Sequence, residues 1–345
     1  MGKAAPLFEI IYRTVQDEKN DLSVETLCDI AGVSRSGYYA WVAAIPDRQR
    51  REEEDRADFR LILIAYNKRG YTKGARGIYM CLLHMEPPII MNLKKIRRLM
   101  KKYNLQCPVR QANPYRQMQK AIKTSNYAEN LLQREFKCYG PRMVLLTDIT
   151  YIPYNGVFAY LSVILDAFTK QILSYVLSES LEVDFVKETV ENLIRDHGVD
   201  LQKETIINSD QGSHYTSITF IKILKDNGIR QSMSRRGNCW DNAPQESFFG
   251  HMKDHLMERI ADAKKFDQIK YAVDDYMDYY NNERYVWDLA YLSPNEYYQF
   301  VTTGRYPLEI PHPPKPPIIQ KKPEELGKKK DSDAEKSADD KCSKK

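Results

Sequence analysis

The sequence predicts an α/β domain preceded by an all-α region, and three observations carry that prediction. From Met143 to Met233, apolar and β-branched runs alternate first with period two and then with helical stretches. Before residue 143 the apolar residues recur at helical spacing instead. Charge divides at the same point: residues 51–142 carry 20 Lys and Arg against 8 Asp and Glu, a net of +12, whereas residues 143–300 carry 15 against 24, a net of −9. A basic block of that length is suited to phosphate backbone, and an acidic block to metal.

In chain order, VETLCDIAGVSRSGYYAWVAA is the first informative stretch. An amphipathic run from Val24 to Ala31 meets Gly32, and a second begins at Ser34, a good N-cap, which together predict a helix-turn-helix. In that motif the second helix leads into the major groove with its N-terminal residues, nominating Arg35, Ser36 and Tyr38 for DNA contact. An ordinary helical hairpin is the competing reading. A charged linker is expected over Arg48 to Arg60, followed by a second helical block, RGYTKGARGIYMCLL and MNLKKIRRLMKKYNLQ. In the latter, Ile96, Leu99, Met100 and Tyr103 form an apolar seam beneath a cationic coat that includes Arg97, Arg98 and Lys101. Pro108, Pro114 and Pro141 interrupt helix in the connector that follows.

Three strands come next, Val144 to Ile152, Phe158 to Asp166 and Gln171 to Leu177, the first two joined by a turn at Asn155-Gly156. A helix (183–196), a buried strand (205–208), a helix (217–226), a strand (230–233), a helix opened by Glu246 and a later helix (267–281) complete the pattern. An antiparallel meander extended by two strands with interleaved helices is the order of the ribonuclease H-like fold. Beyond Pro307 the Pro- and Lys-rich sequence has too little apolar surface to offset chain entropy, so disorder is expected there. The resulting segments are 1–47 (helix-turn-helix-like), 48–110 (basic helical, DNA-binding), 111–142 (connector), 143–302 (catalytic core) and 303–345 (tail).

Six cysteines without any C-x-x-C pair indicate neither a disulfide framework nor a zinc knuckle. His251 and His255 are four apart on one predicted helix, but no further pattern completes a tetrahedral zinc site. There is no signal-peptide pattern and no apolar run near the ~20 residues that span a bilayer, so a cytoplasmic, nucleoid-associated protein with no membrane partner is expected.

Three carboxylates carry the chemistry: Asp148 in VLLTDITYI, Asp210 in IINSDQGSHYTS and Glu246 in GNCWDNAPQESFFGHMK, the last two separated by 35 residues. Two-metal phosphodiester chemistry needs oxygen ligands brought together from separate rigid segments. On the Glu246 helix, Lys253 falls on the same face as the glutamate and can neutralise a DNA phosphate. The preceding loop offers the DNA strand Arg235 and Arg236. No H-x-x-R pair, no two histidines flanking one apolar residue and no G-x-x-x-x-G-K-[ST] is present, which disfavours tyrosine recombinase, single-strand transposase and ATP-motor chemistry.

From about residue 50 to 300, on the blocks SDQGSHYTS and SRRGNCWDNAPQESFF, the chain resembles the OrfB transposase of insertion-sequence family three, within the DDE transposase and retroviral integrase superfamily. The resemblance implies a ribonuclease H-like integrase core with Asp148, Asp210 and Glu246 as the catalytic triad. It implies two Mg²⁺ or Mn²⁺ ions, hydrolysis that frees a 3′-hydroxyl, and strand transfer by that hydroxyl. The implied partners are the element's terminal inverted repeats, target DNA, an OrfA frameshift partner and further copies of the chain in a synaptic homo-oligomer. A noncatalytic DNA-binding regulator is the alternative from another class, and it has no need of three acids.

Overall fold

The computed structural model describes residues 5–107, 138–201, 203–210, 212–233 and 243–319. Most of the expected connector and tail, and the loop holding Arg235 and Arg236, lie outside those residues. Two compact units emerge, one comprising Met1–Ala65 with Lys94–Leu105, the other Tyr66–Leu93 with Gln106–Lys345. The expected basic segment 48–110 is therefore shared between them. Among the described residues, no helix is long and apolar enough to cross a membrane.

In the first unit, α1 (Ala5–Val15), α2 (Val24–Ala31) and α3 (Arg35–Ala43) pack around Ile11, Cys28 and Tyr38. The turn is built as the sequence dictates. Ser23 caps α2 by accepting from Thr26 N, and Ser34 caps α3 by accepting from Gly37 N, each at 3.1 Å. Gly32 ends α2 at φ 64°, where a side chain would be strained. The stretch expected as a charged linker is instead the interior of α4 (Ile45–Asn67), a 23-residue helix. Its charges sit at helical spacing and pair along the surface, Arg50 with Asp47 at 3.0 Å and Arg56 with Glu52 at 3.3 Å. Ile62 and Ala65 are fully buried.

Skipping α5 (Ala75–Leu83), which belongs to the second unit, α6 (Leu93–Lys102) returns beside α4. Ile96 and Leu99 are buried, as the apolar seam requires. An acidic row on α4 meets a basic row on α6: Asp55 takes a fork of two bonds from Arg98, at 2.6 and 2.7 Å, and one from Lys102 at 2.7 Å. Lys95 pairs with Asp58.

The second unit is a five-stranded sheet in the order β3-β2-β1-β4-β5, comprising β1 (Val144–Tyr154), β2 (Val157–Asp166), β3 (Ile172–Ser178), β4 (Ile206–Ser209) and β5 (Arg230–Met233). β1, β2 and β3 pair antiparallel, while β4 and β5 run parallel to β1. One face packs Leu145, Ile164 and Ile207 with α7 (Val183–His197) and α8 (Ile218–Asp226). The other packs Leu146, Leu161 and Val163 with α9 (Ala243–Arg259) and α10 (Phe266–Asn282). α11 (Pro294–Thr303), opened by a reciprocal Ser293–Glu296 capping box, contributes to a smaller cluster around Phe168 and Phe300.

Residues 66–93 are part of this second core. Tyr71 is 1% exposed and stacks on Tyr279 with ring centroids 3.8 Å apart. Arg69 reaches Asp275, Asp278 and Glu283 at 2.6–2.8 Å. The buried Lys73 ammonium donates to the carbonyls of Lys68 and Tyr71, at 2.6 and 2.8 Å.

Candidate active site

The sheet register aligns two of the three carboxylates. Leu146 on β1 stands opposite Asn208 on β4. Two residues further along each parallel strand come Asp148 and Asp210, so the two occupy equivalent positions where β4 ends. The carboxyl end of a strand in an open α/β sheet is the usual place for a ligand crevice. Asp148 also pairs across β1–β2 with Val163, whose side chain packs on the face covered by α9. Glu246 sits in the first turn of α9 on that same side.

Asp148 registers the other charges. Burial drives its carboxyl up to about 7 against the pull of a hydrogen bond from Ile149 N, and the negative charges of Asp210 and Glu246 push the same way. Lys253, half-buried one helical stretch beyond Glu246, opposes them. For the lysine, burial outweighs the attraction of Asp148 and lowers its pKa. Among the described residues, no three His, Cys, Asp or Glu side chains converge closely enough to hold one ion.

Asp210 is exposed, yet its carboxylate is fixed, because Oδ1 accepts from Gly212 N at 2.8 Å. A Cβ on Gly212 would stand 2.9 Å from that oxygen, so any side chain there would have to push the Asp210 carboxylate aside. An Asp followed two residues later by Gly is a turn signal legible in the sequence, and it is the signal that marks Gly212.

The nominated DNA contacts fare unevenly. Arg35 and Ser36 are exposed, with Arg35 paired to Glu25 at 3.0 Å. Tyr38 is corrected: at 3% exposure its ring belongs to the core, against Phe8 and Tyr39, and does not face a groove. Arg97 and Lys101 are exposed on α6, whereas Arg98 is bound to Asp55, whose carboxyl Arg98 and then Lys102 hold well below the usual range. Arg235 and Arg236 lie outside the described residues.

Asp166 is fully buried and structural, accepting from Arg142 N, Phe168 N and Thr169 Oγ1. His255 is half-buried beside Tyr71 and Tyr276, its imidazole pulled down to about 4 by burial first and by the charge of Arg284 next.

Comparison with known proteins finds matches in both the basic and the acidic parts of the chain. Residues 139–239 and 246–300 match models of the integrase core domain, and residues 52–113 match an HTH-like domain. InsK of insertion sequence element IS150 from Escherichia coli is 32% identical over 79% of this chain and 93% of its own length. The transposase InsF of insertion sequence IS3A from the same organism is 25% identical over 83% of this chain and 97% of its own. The magnesium-bound catalytic core of HTLV-2 integrase is 16% identical, with a TM-score of 0.37 over 46% of this chain and 97% of that one.

Proposed function

Because the chain belongs to the insertion-sequence transposases of family three, we propose that Asp148, Asp210 and Glu246 are its catalytic carboxylates. They would hold two divalent cations, Mg²⁺ or Mn²⁺, for DNA strand cleavage and strand transfer. The observation that supports the assignment is placement: Asp148 and Asp210 lie on neighbouring parallel strands near the end of β4, and Glu246 opens the helix on the face of Asp148, near enough for both charges to add to the effect of burial on the Asp148 carboxyl.

The donor set suits the ions, since carboxylate oxygens are the hard ligands that Mg²⁺ and Mn²⁺ take. When bound, such ions activate the attacking oxygen and stabilise the departing one. This chain's residues supply the frame. Asp148 is fixed on a central strand and Asp210 by its bond from Gly212, while Glu246, exposed at the start of α9, has the rotamer freedom to turn inward and complete the set. Lys253 stands beside Asp148 as a cation for the DNA end. Arg235 and Arg236 are assigned to the same strand.

Residues 1–110 are assigned to binding the element's terminal inverted repeats, through the exposed Arg35 and Ser36 at the start of α3 and through Arg97 and Lys101 on α6. An OrfA partner and a synaptic homo-oligomer belong to the same proposal, as do target DNA in the catalytic core over 143–302 and a connector over 111–142.

Replacing one ligand tests the core of it. Asp210→Asn is expected to abolish strand cleavage and transfer while leaving DNA affinity close to wild type. Mg²⁺ or Mn²⁺ is required for turnover, and Ca²⁺ supports binding alone. Cleavage that survives in chelator, or in the Asn variant, overturns the assignment.

A further inference from the structure

Immediately before Glu246 stands a residue that a packed core would not choose. Gln245 is 0% exposed, and among the described residues its Oε1 has no hydrogen-bond partner. A buried amide left half satisfied costs about 1–3 kcal/mol, and an aliphatic side chain would fill the same volume without that penalty. The other end of the amide explains its presence. Nε2 donates to the carbonyl oxygen of Val163 at 3.3 Å, and Val163 is the residue directly opposite Asp148 in the β1–β2 ladder.

We propose that Gln245 is a positioning residue, tying the first turn of α9 to the sheet at the level of Asp148 and so fixing where Glu246 can reach. The inference rests on the reading of Glu246 as a metal-holding carboxylate. The remaining anchors of this part of α9, Phe248, Phe249 and Met252, are apolar and buried. Apolar packing holds a helix against a sheet but tolerates small slides along it, whereas a bond to one particular carbonyl sets the register. Partners that orient a metal ligand typically account for roughly 10- to 100-fold in metal affinity.

The test uses the full-length chain with Mn²⁺ alone as probe, reading the metal concentration that gives half of the maximal thermal stabilisation. In Gln245→Met, which keeps the volume and removes the donor, that midpoint is expected to rise roughly 10- to 100-fold. DNA affinity in Ca²⁺ should stay unchanged, and cleavage of a duplex carrying the DNA that flanks the coding region should recover as Mn²⁺ is raised. Should Gln245→Met fail to fold, Gln245→Asn withdraws the amide from Val163 while keeping its polarity, and the same midpoint is read. A wild-type Mn²⁺ midpoint in either folded variant overturns the inference, whatever happens to the melting temperature in chelator. Glu246→Gln separates the two levels: if it responds to Mn²⁺ and cleaves like wild type, the reading of the site fails, whereas a dead Glu246→Gln with a normal Gln245 variant sinks the positioning role alone.

Discussion

Lys253 gives the narrowest probe of the site, since it carries charge next to Asp148 without being an oxygen ligand. Lys253→Ala is expected to weaken engagement of the cleaved DNA end by about 1.5–3 kcal/mol, the worth of one charge-assisted bond, with little change in metal midpoint. Strand-transfer rates measured at limiting DNA check this, and wild-type rates would shift the phosphate contact to Arg235 and Arg236. His255 makes stability depend on pH. In the unfolded chain the imidazole takes a proton near 6.5, and in the fold not until about 4. Stability is therefore fully present above pH 6.5 and falls as pH drops from there towards 4. The loss is about 1–2 kcal/mol once the ring's partial exposure is discounted. Thermal melts across that window should slope downward in wild type and flatten in His255→Phe. At this scale the sequence spoke unevenly. Asp148, Asp210 and Glu246 were marked by their local motifs, and the turn-forming Ser34 by its type. The burial of Tyr38 is not legible, because a position inside a helix does not reveal which way its ring packs. Nothing in the sequence marks Gln245, because a glutamine next to a glutamate resembles any polar helix start.

Between α4 and α6 the cations divide into two jobs. Arg98 and Lys102 face the acids of α4, while Arg97 and Lys101 are exposed. The double variant Arg97→Ala/Lys101→Ala should lower the slope of log affinity against log salt by about 2 in magnitude, near 0.9 per phosphate released, with the melting temperature preserved. Arg98→Met should do the reverse, lowering stability by about 1 kcal/mol as Asp55 loses its fork of bonds from a largely solvent-exposed guanidinium and leaving the salt slope alone. Equal slopes in the two variants would show that the rows are not distinct. The strands and most helices of the second unit were readable because period-two and period-3.6 patterns differ so plainly there. α4 was not, because Arg48–Arg60 is nearly all charged, and such a run reads as solvated chain. Its order comes from ion pairs at helical spacing and from partners that only the fold brings near.

For the whole molecule, the sequence suggested a cut near residue 110 between DNA-binding and catalytic parts. The compact units divide elsewhere, with Tyr66–Leu93 in the unit that holds the sheet. Tyr71 lies inside the core shared with Tyr276 and Tyr279, and Arg69 is bound by three acids of α10 and its C-terminal end. A chain lacking residues 1–110 is expected to lose at least the roughly 3–5 kcal/mol of one large buried aromatic, and to melt far below a chain lacking only residues 1–65. Urea unfolding of the two fragments measures it, and equal midpoints would return the boundary to 110. The interrupted first unit also matters for retargeting. On the proposed assignment of DNA recognition to the N-terminal residues, a unit made from Met1–Ala65 and Lys94–Leu105 cannot be exchanged as one stretch of gene. A working chimaera has to graft two pieces around a retained 66–93, and a donor lacking the counterpart of Arg69 and Tyr71 would bring its own specificity to a catalytic unit that no longer folds.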